Sequence, residues 1–183
     1  MSNQSNPASG HQVEQPSAST AITPGTTDIR LADTFRQDFP IGAAVSAHRI
    51  HSQRDLLLQQ YSSLTAENEM KFISVHPEQD KYTFDDADAI ANFAREHGLE
   101  LRGHTFVWHN QTPDWVFQDG QGGKADRHTL LTRLQQHMET VMGRYRDVIR
   151  CWDVVNEAIS DEDDGTYLRP TPWLEGIGDD YIA

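Results

Sequence analysis

The sequence predicts an α/β fold in which parallel strands are covered by helices. Three observations predict it. From residue 28 onward, short apolar runs alternate with segments whose apolar residues recur at helical spacing. The order is strand, helix, strand, helix, strand, helix, strand, and a helical crossover joins parallel neighbours. Polar residues gather at the ends of the second, third and fourth strand patterns, where parallel α/β sheets carry their chemistry.

Taken in order, Ile41 to Ser46 is a short apolar run with small residues, the first strand. Ser52 with Asp55 three residues on makes a capping-box pattern, opening a helix through Leu56, Leu57 and Tyr61. Ser63 to Asn68 is the second strand. Asp85 or Asp86 caps a helix whose Ile90, Ala91, Phe93 and Ala94 share one face, and Gly98 ends it. Leu99 to Trp108 is the third strand. After the glycine-rich loop at 120–123, Asp126 caps the clearest helix, with an apolar stripe of Leu130, Leu131, Leu134, Met138, Val141, Met142 and Tyr145. Ile149 to Asn156 is the fourth strand. Two architectures share this order, an open doubly wound sheet and a (β/α)8 barrel. The first strand-to-helix turn, Ser46 to His51, holds no glycine to cradle a phosphate. The polar strand ends favour the barrel.

The 28 acidic and 15 basic residues give a formal net charge of -13. Nucleic acid and anionic membrane both need a basic surface, so neither is an expected partner. No stretch approaches the roughly 20 apolar residues of a membrane span. The N-terminus, MSNQSNPASGHQVEQPSAST, has no basic start and no apolar stretch, so no secretion leader is expected. Its composition predicts a disordered segment over residues 1–27, with the folded domain over 28–183. Read as written, the protein is expected in the cytoplasm, or secreted if its natural N-terminus has been replaced. The single cysteine, Cys151, lies in an apolar strand pattern and is expected to pack in the core.

Three segments carry candidate chemistry. In LTAENEMKF, residues 64–72, Glu67, Asn68, Glu69 and Lys71 crowd onto a strand end. A carboxylate, an amide and an ammonium together offer the donors and acceptors that sugar hydroxyls need. A solvated helix start fits the same composition. In LRGHTFVWHNQTPDWVF, residues 101–117, His104 and His109 have no third ligand at sensible spacing, so no metal is expected. Trp108 offers an aromatic wall and Gln111 an amide, which suit a sugar, although Trp108 and Trp115 also suit a core. In CWDVVNEAI, residues 151–159, a strand of buried character ends in Asn156 and Glu157. Glycosidases use two carboxyl groups, one of them an acid kept protonated by burial and a neighbouring carboxylate. Glu157 is placed for that, or for anchoring a loop. The acidic run at 161–165 fails the calcium-loop template and reads as a solvated loop.

Taken together, TAENEMKF, RGHTFVWHNQTPDW and WDVVNEA, in that order and at that spacing, resemble family 10 glycoside hydrolases, the endo-β-1,4-xylanases. RPTPWLEGIGDDYIA, residues 169–183, resembles the family's continuation. The resemblance implies a (β/α)8 barrel that cleaves internal xylan linkages with retention and without a cofactor. It implies Glu157 as general acid/base, with Asn156 holding the 2-hydroxyl of the sugar being cleaved and supporting the nucleophile. His104 and Lys71 would line that subsite with Trp108 packed against it, and Glu67, Asn68 and Gln111 would bind the next sugar. Phe72 stands where the family has tryptophan, and Phe106 where it has leucine.

The resemblance also implies a nucleophilic glutamate from the second half of the barrel. A whole barrel takes about 250 residues, and only about four strand–helix units are present here. The expectation is a C-terminally truncated catalytic domain, inactive alone. The alternatives are a non-catalytic xylan-binding half-barrel and a half-barrel that pairs with a second copy.

Overall fold

The computed structural model describes residues 29–163 and 165–183. The segment expected to be disordered, 1–27, lies outside them. Gly42–Val45 (β1), Ser63–Ala66 (β2), Glu100–Val107 (β3) and Ile149–Val155 (β4) form one parallel sheet in the order β1-β2-β3-β4. That order separates the two architectures. A doubly wound sheet reverses its winding at a switch point, whereas here each strand is laid beside the last on the same side, as in a barrel. The strands are shorter than the apolar runs suggested, and Glu67 and Asn156 each add one ladder bond beyond the strand end, to Val45 O at 2.9 Å and Val107 O at 2.8 Å.

The helices are Leu31–Thr34 (α1), Arg54–Gln60 (α2), Phe72–Val75 (α3), Asp85–His97 (α4), Arg127–Tyr145 (α5) and Pro172–Ile177 (α6), with 3₁₀ turns at Asp114–Phe117 and Asp179–Ile182. Gly98 closes α4 in the left-handed region at φ 64°, as its position predicted. Asp126 caps α5 by accepting from Thr129 N at 2.7 Å. Two other caps do not form. Ser52 instead donates to Arg49 O at 2.8 Å, closing a turn, and Gln53 precedes α2 without a side-chain cap. Asp85 and Asp86 lie inside the first turn of α4, where their charges meet the positive end of the helix dipole.

One face of the sheet is sealed. Leu64, Ala66 and Leu101 point beneath α4 and α5 and are buried with Ile90, Phe93, Leu130, Val141 and Tyr145. The buried stripe of α5 includes His137 and leaves Leu131 and Met142 exposed, because 100° per residue carries those two round the helix. The other face carries Ala44, Thr65, Arg102 and Cys151 in register, with His104 paired to Asp153, and it is open. Cys151 is exposed on that open face rather than in the core, and Val154 is also exposed. The cause is shared: β4 is an edge strand, so its burial is lower than its apolar sequence predicted.

Candidate active site

Of the eight site residues singled out in the sequence, His104 lies within β3 and the other seven lie at the C-terminal ends of β2, β3 and β4 or in the loops that follow. After β2, the chain turns through Glu67, Asn68 and Glu69. Glu69 is a loop anchor, accepting from Ala47 N at 2.8 Å and Asn68 N at 3.0 Å. Lys71, only 8% exposed, donates from Nζ to Asn68 Oδ1 at 2.9 Å and lies 4.6 Å from the centre of the Trp108 ring. Burial pulls the Lys71 ammonium pKa down, and the nearby Glu67, Glu157 and Glu69 carboxylates oppose the shift.

Gln111 has a left-handed backbone, φ 51°, which only a minority of non-glycine residues adopt. Its carbonyl accepts from Ile73 N in α3 at 2.9 Å, and its Nε2 reaches 3.5 Å from Asn68 Oδ1. Trp108 is held from behind. Its carbonyl accepts from Trp173 Nε1 and Thr112 Oγ1, both at 3.0 Å. Phe72 and Phe106 fill the layer beneath. Phe72 stacks on His137 with ring centres 3.6 Å apart, and Phe106 stacks on Trp152 at 4.3 Å. Trp115 packs in that same layer against Phe72 and His76.

At the end of β4, Glu157 is also left-handed, φ 54°. Its carboxylate Oε2 accepts from Trp108 Nε1 at 2.9 Å. Its backbone carbonyl accepts from Arg169 Nε at 3.0 Å, and the same guanidinium pairs with Asp161. Glu157 thus has a strained backbone fastened from the following loop and a carboxylate fixed by an indole from the neighbouring strand. The enclosure expected around it is not formed by the described residues, since its side chain is 50% exposed. Asn156 stands beside it, half-buried.

Three residues not assigned to a sugar site from the sequence lie here: His109, weighed there only as a metal ligand, and Arg102 and Asp153, which the sequence reading passed over. His109 Nε2 lies 3.8 Å from Glu157 Oε2. On the open face, Asp153 Oδ2 lies 3.1 Å from His104 Nδ1, while Arg102 bonds Asp153 Oδ1 through Nε at 3.0 Å and through Nη2. Burial disfavours the charged Asp153, but the bonds from Arg102 and His104 outweigh it and hold the carboxyl below its usual range. The His104–Thr105 peptide is cis, and Thr105 Oγ1 donates to Asp153 O at 2.6 Å. The signal for Arg102 and Asp153 is alternation: charged residues on one face of otherwise apolar strands.

Asn68, Lys71, Trp108 and Glu157 therefore form one connected row along the strand ends, with His104 behind Trp108 at 6.4 Å between ring centres. The row offers an acid, an amide, an ammonium and an aromatic face on an open surface. Among the described residues, no group of three His, Cys, Asp or Glu side chains is placed to hold a metal ion.

Residues 30–183 match the profile of glycosyl hydrolase family 10. An endo-1,4-beta-xylanase B of Paenibacillus barcinonensis is 49% identical over 153 residues, covering 84% of this chain and 46% of that protein. An endo-1,4-beta-xylanase A of Caldicellulosiruptor saccharolyticus is 47% identical over 156 residues, covering 85% of this chain and 45% of that protein. The chain thus spans about half the length of the curated relatives it matches. A solved xylanase of Paenibacillus barcinonensis, complexed with a conduramine derivative, superposes with a TM-score of 0.81 at 49% identity, over 86% of this chain and 47% of its own. A mutant structure in complex with xylotriose superposes with a TM-score of 0.81 at 44% identity, over 84% of this chain and 47% of its own.

Proposed function

This chain belongs to glycosyl hydrolase family 10, and from that premise we propose that it carries the acid/base half of an endo-1,4-β-xylanase site. The observation that carries the reading is Glu157: a carboxylate at the end of a parallel strand, held by Trp108 and set beside Asn156. In this role it protonates the departing glycosidic oxygen, then deprotonates the water that releases the glycosyl-enzyme, which gives retention. Asn156 holds the 2-hydroxyl of the sugar under attack and supports the nucleophile. His104 and Lys71 bind that same sugar, with Trp108 packed against it. Glu67, Asn68 and Gln111 bind the next sugar, so the substrate is xylan or a xylo-oligosaccharide, as the xylotriose held by a relative suggests.

A retaining site needs its two carboxyl groups about 5–5.5 Å apart. We assign the second to the part of the family's domain that this chain does not span. The 183-residue chain alone then forms no covalent glycosyl-enzyme. The expected result is no release of aryl alcohol from an aryl xylobioside, together with saturable binding of xylotriose by calorimetry. Turnover by the pure chain that disappears in Glu157→Ala would overturn the assignment of the nucleophile. Absence of xylotriose binding would overturn the sugar site. In a protein that also carries the second carboxylate, Glu157→Ala is expected to stall after glycosylation by an activated aryl substrate. Added azide should then restore turnover, because it needs no base to attack.

A further inference from the structure

We infer that Asp153, pinned by Arg102, is a positioning residue that fixes the tautomer of His104 and so sets which ring nitrogen faces the sugar site. The argument is one of donors and acceptors. A guanidinium only donates and a carboxylate only accepts. Arg102 directs both of its bonds at one oxygen of Asp153, Oδ1, which leaves Oδ2 for His104 Nδ1 at 3.1 Å. Nδ1 must therefore carry the proton. In the neutral ring the lone pair is then on Nε2, which makes no hydrogen bond with the described residues. The pairing is built into the sheet: His104 and Asp153 are register partners on β3 and β4, and Thr105 Oγ1 ties the Asp153 carbonyl to β3. His104 is thereby an acceptor, and Lys71, which meets the same Trp108 ring, is a donor. Two adjacent hydroxyls of one sugar can then be held in a single sense, one giving and one receiving. Outer groups that fix a ligating ring act in this way in many sites.

The consequence for binding rests on the sugar-site reading above; the tautomer does not. Asp153→Asn is nearly isosteric and gives a definite expectation. Arg102, which has no acceptor, claims the amide oxygen and turns the amide NH2 toward His104. Nδ1 is then forced to accept, and the proton moves to Nε2. Nitrogen-15 spectra of the histidine-labelled chain should show the pyrrole-type and pyridine-type signals of His104 exchanging between Nδ1 and Nε2. Xylotriose should bind about tenfold more weakly, the effect of one lost hydrogen bond. In the double variant Arg102→Met with Asp153→Asn, the amide is free to rotate and present its oxygen, so the original tautomer should return. An unchanged tautomer in Asp153→Asn, or no return in the double variant, would overturn the inference. Inversion without any change in xylotriose affinity would overturn its reach to the sugar. Failure of the unsubstituted chain to bind xylotriose would sink the sugar-site reading, while the ring-nitrogen signals still decide the tautomer.

Discussion

A methyl group added to Gly103 would fall inside the indole of Trp152, its register partner on β4. Trp152 is itself stacked on Phe106, so neither ring can withdraw without opening the layer that supports Trp108. Gly103→Ala is expected to destabilise the chain by about 1–3 kcal/mol, as overpacked sites do. Gly143, on the exposed side of α5, has nothing within 4 Å of an added Cβ, and Gly143→Ala is expected to stabilise by about 0.5–1 kcal/mol. Urea unfolding of the two variants should give opposite signs; equal signs would refute the packing account. Trp108→Phe keeps a ring face for Lys71 but removes the only side-chain donor to Glu157 found within 3 Å among the described residues. In a catalytically complete protein carrying these residues, it is expected to lower kcat/KM about tenfold, the loss of one exposed charge-assisted bond. Unaltered kinetics would mean that the bond does not orient the acid. At this scale the strand-end residues were legible because polar groups interrupt apolar runs. The role of Asp153 was not, because alternation gives it a face but no partner, and only the pairing of β3 with β4 shows that it faces His104.

Helix α5 joins the site's rear layer to the rest of the fold through His137, which is fully buried between Phe72 and His76. His76 Nε2 lies 3.0 Å from Gln79 O, so it carries a proton there, and His137 Nδ1 donates to His76 Nδ1 across 3.3 Å. His137 Nε2 is left as a buried lone pair without a partner. Both rings are neutral, and a further proton would be an unpaired buried charge. Burial, and then the neighbouring His76, push the His137 pKa down to about 3; burial also lowers the His76 pKa, against the opposing pull of the Gln79 carbonyl and of Asp80. The unfolded chain binds that proton near pH 6.5 and the folded chain near 3. The stability this site contributes is therefore complete above pH 6.5 and is lost as pH falls toward 3. By pH 5 the loss from His137 is about 2 kcal/mol. His137→Phe, which keeps the stack on Phe72, should flatten the pH 7 to pH 5 decline in denaturation midpoint; an unchanged decline would place the acid sensitivity elsewhere. The long helices α4 and α5 were legible from their periods. The four-residue helices α1 and α3 and the 3₁₀ turns were not, since one turn shows no period, and α3 nevertheless holds Gln111 in place.

At the largest scale, the described residues form a four-stranded sheet sealed on one face and open on the other. Parallel strands and helix cover were legible because each crossover is a local pattern, whereas the barrel-like strand order was favoured only by the polar strand ends. The exposure of β4 was not legible, because it depends on which strand lies beside it, and no pattern within β4 records that. Parallel sheets are ordinarily covered on both faces or closed on themselves, so the open face of Arg102, Cys151 and Asp153 is the surface that any further pairing would change. Cys151 is a built-in reporter of that surface, being the only cysteine in the chain. In the native 183-residue chain, a thiol-reactive chromophore should label it stoichiometrically without denaturant. A second copy pairing on β4 would have to overcome repulsion between two bodies of formal charge -13 each. Labelling is therefore expected to keep one rate across protein concentration, with light scattering giving the mass of one chain. Labelling that slows as concentration rises, with a doubled scattering mass, would instead place a second copy on this edge and make the self-paired half-barrel the working assembly. A cysteine that reacts only after denaturation at every concentration would show that β4 is covered within the chain itself, contrary to the open face described here.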